Sequence, residues 1–161
     1  MYKCKYFAIH ELVPKSLYTA YGEWCWCLLD EYALRTLDAL RERFGSLTVN
    51  NYKWNGTRKA SGFRNEEYYG DAVKYAKSRS QHKYGRAFDF ISKTYSAQEI
   101  RKYIVEHRDE FPYITFLEVG PLDDKGKPMN WVHFDTRNGD FTLWSPELGT
   151  IGIQMMLEEN L

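Results

Sequence analysis

Ser80-Gln81-His82-Lys83-Tyr84-Gly85-Arg86-Ala87-Phe88-Asp89 is the stretch on which the rest of the chain turns. Residues 86–91 alternate as a strand does, with Phe88 and Phe90 on one face and Ala87 and Asp89 on the other. The two aromatics are expected to plug a core, and the small alanine leaves room beside the acid. His82 and Asp89 stand seven apart and would face opposite sides of one unbroken strand. Gly85 lies between them and can supply the bend that lets both point into one site. A second stretch, Asn130-Trp131-Val132-His133-Phe134-Asp135, puts Trp131, His133 and Asp135 on one face of another strand. Two imidazoles and a carboxylate are ligands that suit zinc, with a fourth position left for water. On spacing alone, a histidine hydrogen-bonded to an aspartate is the commoner arrangement.

Outward from these stretches, apolar residues recur at threes and fours over 24–44 (Leu28, Leu29, Tyr32, Ala33, Leu37, Leu40, Phe44), which predicts an amphipathic helix. Arg41 and Arg43 in its last turn and Gly45 close it. Residues 1–23 read as an extended arm and loop. Residues 47–54 read as a strand, 55–70 as loop and 71–79 as a helix. Ser96 with Glu99 forms a capping box that opens a helix running to about 107. Strands are expected over 113–119 and 130–136, joined by the turn-rich segment 120–130. A short strand or turn and a final helix are expected in the tail. Helices come early and strands late, so the expected class is α+β with a central antiparallel sheet flanked by helices. No repeat or Pro/Gly-rich linker divides the chain, so 1–161 reads as one domain: arm and helix over 1–46, a motif-bearing core over about 47–137, and a tail over 138–161.

The 161 residues carry 22 Lys+Arg against 22 Asp+Glu. A nucleic-acid-binding protein would show a basic excess, so nucleic acid is not an expected partner. Aromatics make up 17% of the chain, which argues for a packed core rather than disorder. The longest apolar run, Trp24 to Leu29, is six residues, far short of the about 20 of a membrane span. The N-terminal residues show no apolar signal region, so no secretory leader is read. Cys4, Cys25 and Cys27 are odd in number and contain no Cys-x-x-Cys pair; buried, reduced thiols are expected. His107 at a helix C-terminus needs no ligand role.

Ser80, His82, Gly85, Ala87 and Asp89 fill every fixed position of a Ser-x-His-x-x-Gly-x-Ala-x-Asp signature. Trp131-Val132-His133 follows Asp89 by 44 residues as a Trp-x-His motif, and Ser61-Gly62-Phe63-Arg64 lies upstream. In these three motifs and their order, the chain resembles the zinc D-Ala-D-Ala carboxypeptidase and L-alanyl-D-glutamate endopeptidase superfamily, peptidoglycan peptidases with the Hedgehog-like fold. The resemblance spans roughly 47–137. It implies one zinc per chain held by His82, Asp89 and His133. It also implies that Arg64 holds a substrate carboxylate or polarises the reacting carbonyl, and that Ser80 contacts substrate. Members of phage origin often lack a signal peptide. The expected setting is therefore a phage lysin or virion-associated wall hydrolase, made in the bacterial cytoplasm and acting on the wall, with peptidoglycan and phage virion proteins as partners.

Such enzymes need a carboxylate that takes a proton from water at the zinc. Many members carry it three residues before the last histidine, where this chain has Asn130. Others, similar to phage forms, carry it at the end of the preceding strand, where this chain has Glu118. Glu118 is the expected general base, although 120–130 is a long connection. Asp123 and Asp124 fall in that connection, on an expected solvated turn. Asp135 is expected to support a ligand or to be a plain strand-end carboxylate. Trp54, Tyr68, Tyr69, Tyr84, Trp131 and Trp144 surround the motifs as groove walls or as ordinary core and surface. The rival reading, prompted by Asn130, is a zinc-stabilised binding or structural virion protein without catalysis.

Overall fold

In the computed structural model, which describes residues 1–123, 125–159 and 161, the N-terminal segment is more ordered than an extended arm. It contains α1 (Lys15–Tyr21), followed by a 3-10 helix, Gly22–Leu28. The helix expected over 24–44 therefore begins late, as α2 (Glu31–Phe44). Asp30 sets the boundary: its carboxylate accepts from Ala33 N at 3.1 Å, capping the new helix. The same oxygen accepts from Thr136 Oγ1 at 3.1 Å, so the start of α2 is tied to a residue 106 positions away in the chain. The apolar spacing runs on across this break because both pieces bury the same side, with Cys25, Trp26 and Leu29 in the core alongside Ala33 and Leu37.

The first strand is shorter than alternation suggests. β1 is only Leu47–Thr48. The buried Asn50 then turns the chain away, its amide carbonyl accepting from Ser61 N at 2.9 Å, and a 3-10 turn follows at Tyr52–Trp54. After α3 (Glu66–Tyr69) and α4 (Ala72–Lys77), a 3-10 turn at Gln81–Tyr84 leads into β2 (Ala87–Ser92). α5 (Ala97–Glu106) opens with the expected Ser96/Glu99 capping box. The remaining elements are β3 (Phe116–Glu118), β4 (Val132–Asp135), β5 (Thr142–Ser145), β6 (Gly149–Ile151) and α6 (Ile153–Glu158).

The class is α+β, and the sheet has six strands in the order β1-β2-β4-β3-β5-β6. It is mixed rather than antiparallel, because β5 runs parallel to β3. The reason is topological: β4 has β2 on one edge and β3 on the other, so the returning β5 meets the free edge of β3. One face of the sheet presents Phe88, Phe90, Phe134, Val132, Leu117 and Leu143, all nearly excluded from water. Leu34, Leu37 and Leu40 of α2 and Ile100 and Ile104 of α5 join them in one apolar cluster. The other face carries Asp89, His133, Glu118 and Trp144. Among the described residues no helix is long and apolar enough to cross a membrane. The three thiols are free: Cys25 is buried as expected, Cys4 is partly covered, and Cys27 is exposed.

Gly85 bends the chain as its position suggests, with φ +69°. Its backbone also lies against the end of the Gly22–Leu28 turn, where an added Cβ would sit 2.1 Å from the Leu28 carbonyl oxygen. Gly85 O accepts from Asp30 N at 3.0 Å. Gly85→Ala is therefore expected to lower the unfolding free energy by about 1–3 kcal/mol through strain and lost packing, read from urea denaturation. An unchanged midpoint would show that the bend tolerates a side chain.

Candidate metal centre

Strand register builds the site. Asp89 of β2 pairs with His133 of β4, and His133 pairs with Glu118 of β3. Directly paired residues project to the same side of a sheet, so these three side chains stand in one row. His82 reaches the row from outside the sheet, carried by the 3-10 turn that ends at Gly85. His133 Nδ1 lies 2.6 Å from Asp89 Oδ1, and His82 Nε2 lies 3.3 Å from the same oxygen. The two inward ring nitrogens are 3.3 Å apart.

The outward nitrogens explain why the inward ones converge. His82 Nδ1 is 2.8 Å from Gly62 O, and a carbonyl can only accept, so Nδ1 carries the proton and Nε2 presents its lone pair. His133 Nε2 is 3.5 Å from Asp135 Oδ2. Asp135 is fully buried and is itself gripped by the Arg137 guanidinium, Nε to Oδ1 at 2.7 Å. Histidines that ligate metals characteristically donate their second nitrogen in this way. Ligands of a tetrahedral ion at ~2.0–2.2 Å stand about 3.4 Å apart, close to two of the three separations here. Among the described residues, His82, Asp89 and His133 form the cluster able to hold a metal ion.

Burial keeps His82 neutral, against the pull of Asp89. Burial also opposes charge on His133, but hydrogen bonds to Asp135 and Asp89 and the charges of Asp89 and Glu118 push it up to about 9. For Asp89 burial works toward neutrality, yet His82 and His133 hold its carboxyl well below the usual range. The charged carboxylate and a neutral imidazole are the forms a cation binds, and an ion held at His133 would displace a proton there.

The loop before β2 fixes the Asp89 side of the row. Asp89 N donates to Ser61 O at 2.7 Å, and Arg58 Nη2 donates to Asp89 O at 2.8 Å. Phe63 N donates to Leu12 O at 2.8 Å. Gly62 passes so close that a Cβ would sit 2.1 Å from that carbonyl oxygen, so no other residue fits. Arg64 is thereby delivered to the site: Nη2 donates to Asp89 Oδ2 at 2.7 Å, Nε to Ala60 O at 2.8 Å, and the guanidinium lies 4.7 Å over the Tyr68 ring. Arg64, Tyr68, Ser80, Glu118, Lys125 and Trp131 surround the metal cluster in a cleft of about 390 Å³.

Glu118 thus reaches the cleft despite the long connection after it, and the cause lies in a residue whose importance the sequence does not signal. Arg101 of α5 is buried beneath the sheet. Its guanidinium donates to Gly120 O at 3.2 Å and to Trp131 O at 2.5 Å. This clamps Gly120 to Trp131, and between them Leu122 and Pro128 pair across an antiparallel bridge. Burial lowers Arg101 to about 10, with the charge of Glu118 opposing. Asn130 faces a different cleft, over the start of α5. Asp123 borders the metal cleft, but its Oδ1 accepts from Lys125 N and Lys127 N and is committed to the turn. Asp124 lies outside the described residues. Of the suggested wall aromatics, Tyr68 and Trp131 line the cleft.

No family model, curated protein or solved structure gives a significant match to this chain.

The Asp135 contact yields a test. Asp135→Asn is expected to weaken zinc affinity about 10- to 100-fold by loosening the His133 ring, measured by chelator competition with helix content monitored by circular dichroism. Wild-type affinity would mean that Asp135 serves Arg137 alone.

Proposed function

We propose that the chain is a zinc-dependent peptidase that hydrolyses an amide bond in the peptide part of bacterial peptidoglycan. This is the chemistry of the D-Ala-D-Ala carboxypeptidase and L-alanyl-D-glutamate endopeptidase superfamily with its Hedgehog-like fold. A phage lysin or virion-associated wall hydrolase is the setting that fits best. The observation carrying the proposal is the row itself: a carboxylate, Glu118, stands beside a His-Asp-His cluster in the same cleft as a cation, Arg64. Two imidazoles and one carboxylate favour zinc over hard cations, which prefer oxygen ligands alone.

Zinc, when bound, supplies Lewis acidity toward water and toward an amide carbonyl. The chain's own residues supply the rest. Glu118 takes a proton from the attacking water and returns it to the leaving amine. Arg64, anchored through Asp89 and Ala60, offers fixed positive charge to a substrate carboxylate or to the oxygen that gains charge. Ser80, at the cleft wall, offers a hydroxyl to the substrate backbone. Lys125 adds a second cation at the rim, suited to the carboxylates of a peptide stem.

The test is digestion of purified peptidoglycan by the zinc-loaded protein, with new termini identified by mass spectrometry. Glu118→Gln keeps size and polarity but removes the base, so turnover is expected to fall at least about 10²-fold with zinc retained, whereas Asp123→Asn has little effect. Cleavage by the Gln variant at the wild-type rate would remove Glu118 from the mechanism. No new termini from the wild-type protein would favour the zinc-stabilised binding or structural role.

A further inference from the structure

The row of paired residues does not stop at Glu118. Glu118 of β3 is in register with Trp144 of β5, and Trp144 with Thr150 of β6. Asp89, His133, Glu118, Trp144 and Thr150 therefore leave the same face of the sheet across five neighbouring strands. Neighbouring strands lie about 4.8 Å apart, which places Trp144 about 10 Å from His133 along the sheet.

An aromatic ledge occupies this place. The rings of Phe116 and Trp144 stack at 6.3 Å with 30° between their planes. Arg137 covers Phe116 from the outside, its guanidinium 3.7 Å from the ring centroid. On its inner side Phe116 meets His133 edge-on at 6.0 Å, so the ledge begins where the metal cluster ends. Phe116, Thr142 and Trp144 are partly exposed and Thr150 is exposed, so solvent reaches this end of the face. Among the described residues nothing accepts a hydrogen bond from the Trp144 indole N–H. A flat aromatic surface with a spare donor and nearby hydroxyls suits the apolar face of a pyranose ring, whose rim carries hydroxyl and acetamido groups.

Charge gives the row a direction. Arg64 sits at the Asp89 end, bonded to Asp89 itself. Lys125 lines the same cleft as Arg64, whereas the Arg137 guanidinium is turned to Asp135 and to the Phe116 ring. A peptide stem bears its carboxylates away from the glycan, and its sugar carries no formal charge where the stem begins. The carboxylate-bearing part thus matches the cleft that holds Arg64 and Lys125, and the sugar matches the ledge.

We propose that Trp144, backed by Phe116, forms a sugar-binding subsite that seats the glycan unit bearing the peptide stem. This rests on the peptidoglycan reading above and deepens it. An extended chain covers about 3.3–3.6 Å per residue, so about 10 Å allows no more than about three residues between sugar and metal. The bond cut is therefore one near the glycan rather than one at the distal end of the stem.

The test compares a muramoyl-peptide released from purified peptidoglycan with the same peptide after its sugar has been removed. The wild-type protein is expected to show a kcat/KM at least about tenfold higher for the sugar-bearing substrate, the equivalent of about 1.4 kcal/mol, expressed mainly in KM. Trp144→Ala should bring the ratio of the two substrates to about one, and Trp144→Phe should keep most of it. Binding is read separately, by titrating N-acetylglucosaminyl-N-acetylmuramic acid against the tryptophan fluorescence of the wild-type and Trp144→Phe proteins. Equal wild-type rates on both substrates, with no response to the disaccharide, would overturn the subsite while leaving the peptidase intact. A protein that cleaves neither substrate yet binds the disaccharide through Trp144 would keep the subsite and lose the peptidase.

Discussion

Everything at the metal cluster depends on the register between β2, β4 and β3. A shift of one residue between β2 and β4 would turn His133 into the apolar cluster and bring Phe134 to the polar face. That shift is prevented from the other side of the sheet. Phe88 pairs with Phe134 and Phe134 with Leu117, and none of the three is measurably exposed. Burying each such side chain stabilises the fold by about 1.5–3 kcal/mol, and a slipped register would forfeit several of these contributions together. The hydrophobic face therefore acts as the alignment device for the polar one.

Two further constraints bring in residues that the sheet cannot supply. His82 arrives through the left-handed bend at Gly85, and Arg64 arrives on a loop pinned by Leu12, Asn50 and the backbone of Asp89. Arg101 is the third brace. A buried guanidinium is costly unless paired; here its two terminal nitrogens hold Gly120 to Trp131, while Nε is buried without a partner among the described residues. The cation that holds Gly120 to Trp131 also lies in the field of Glu118.

Much of this was legible in the sequence, for reasons that can be named. Strand alternation at Ala87–Ser92 and Val132–Asp135 put Asp89 and His133 on a polar face, and Gly85 marked the bend for His82. The Ser96/Glu99 box marked the start of α5. Other parts were hidden. The apolar period over 24–44 does not register a break at Asp30, because a cap residue interrupts the backbone without interrupting the buried side. The strand read over 47–54 ends at Thr48 because Asn50 uses its amide on Ser61, a partner distant in sequence. The parallel β3–β5 pair depends on which edge is free after β4 is seated, a tertiary fact. Arg101 sits in an amphipathic helix where an arginine ordinarily faces water, so its burial has no local signal. The Trp144 ledge was visible only as one of six aromatics until the register set it beside Glu118.

The metal cluster is the claim on which the functional account stands, and X-ray absorption at the zinc edge addresses it directly. Protein loaded with one equivalent of zinc should show two imidazole nitrogens and a carboxylate oxygen at about 2.0–2.2 Å, with no sulfur. Sulfur at about 2.3 Å would place the ion on Cys4, Cys25 or Cys27, and a spectrum of hydrated zinc would show that His82, Asp89 and His133 hold no metal. Either result would contradict the account.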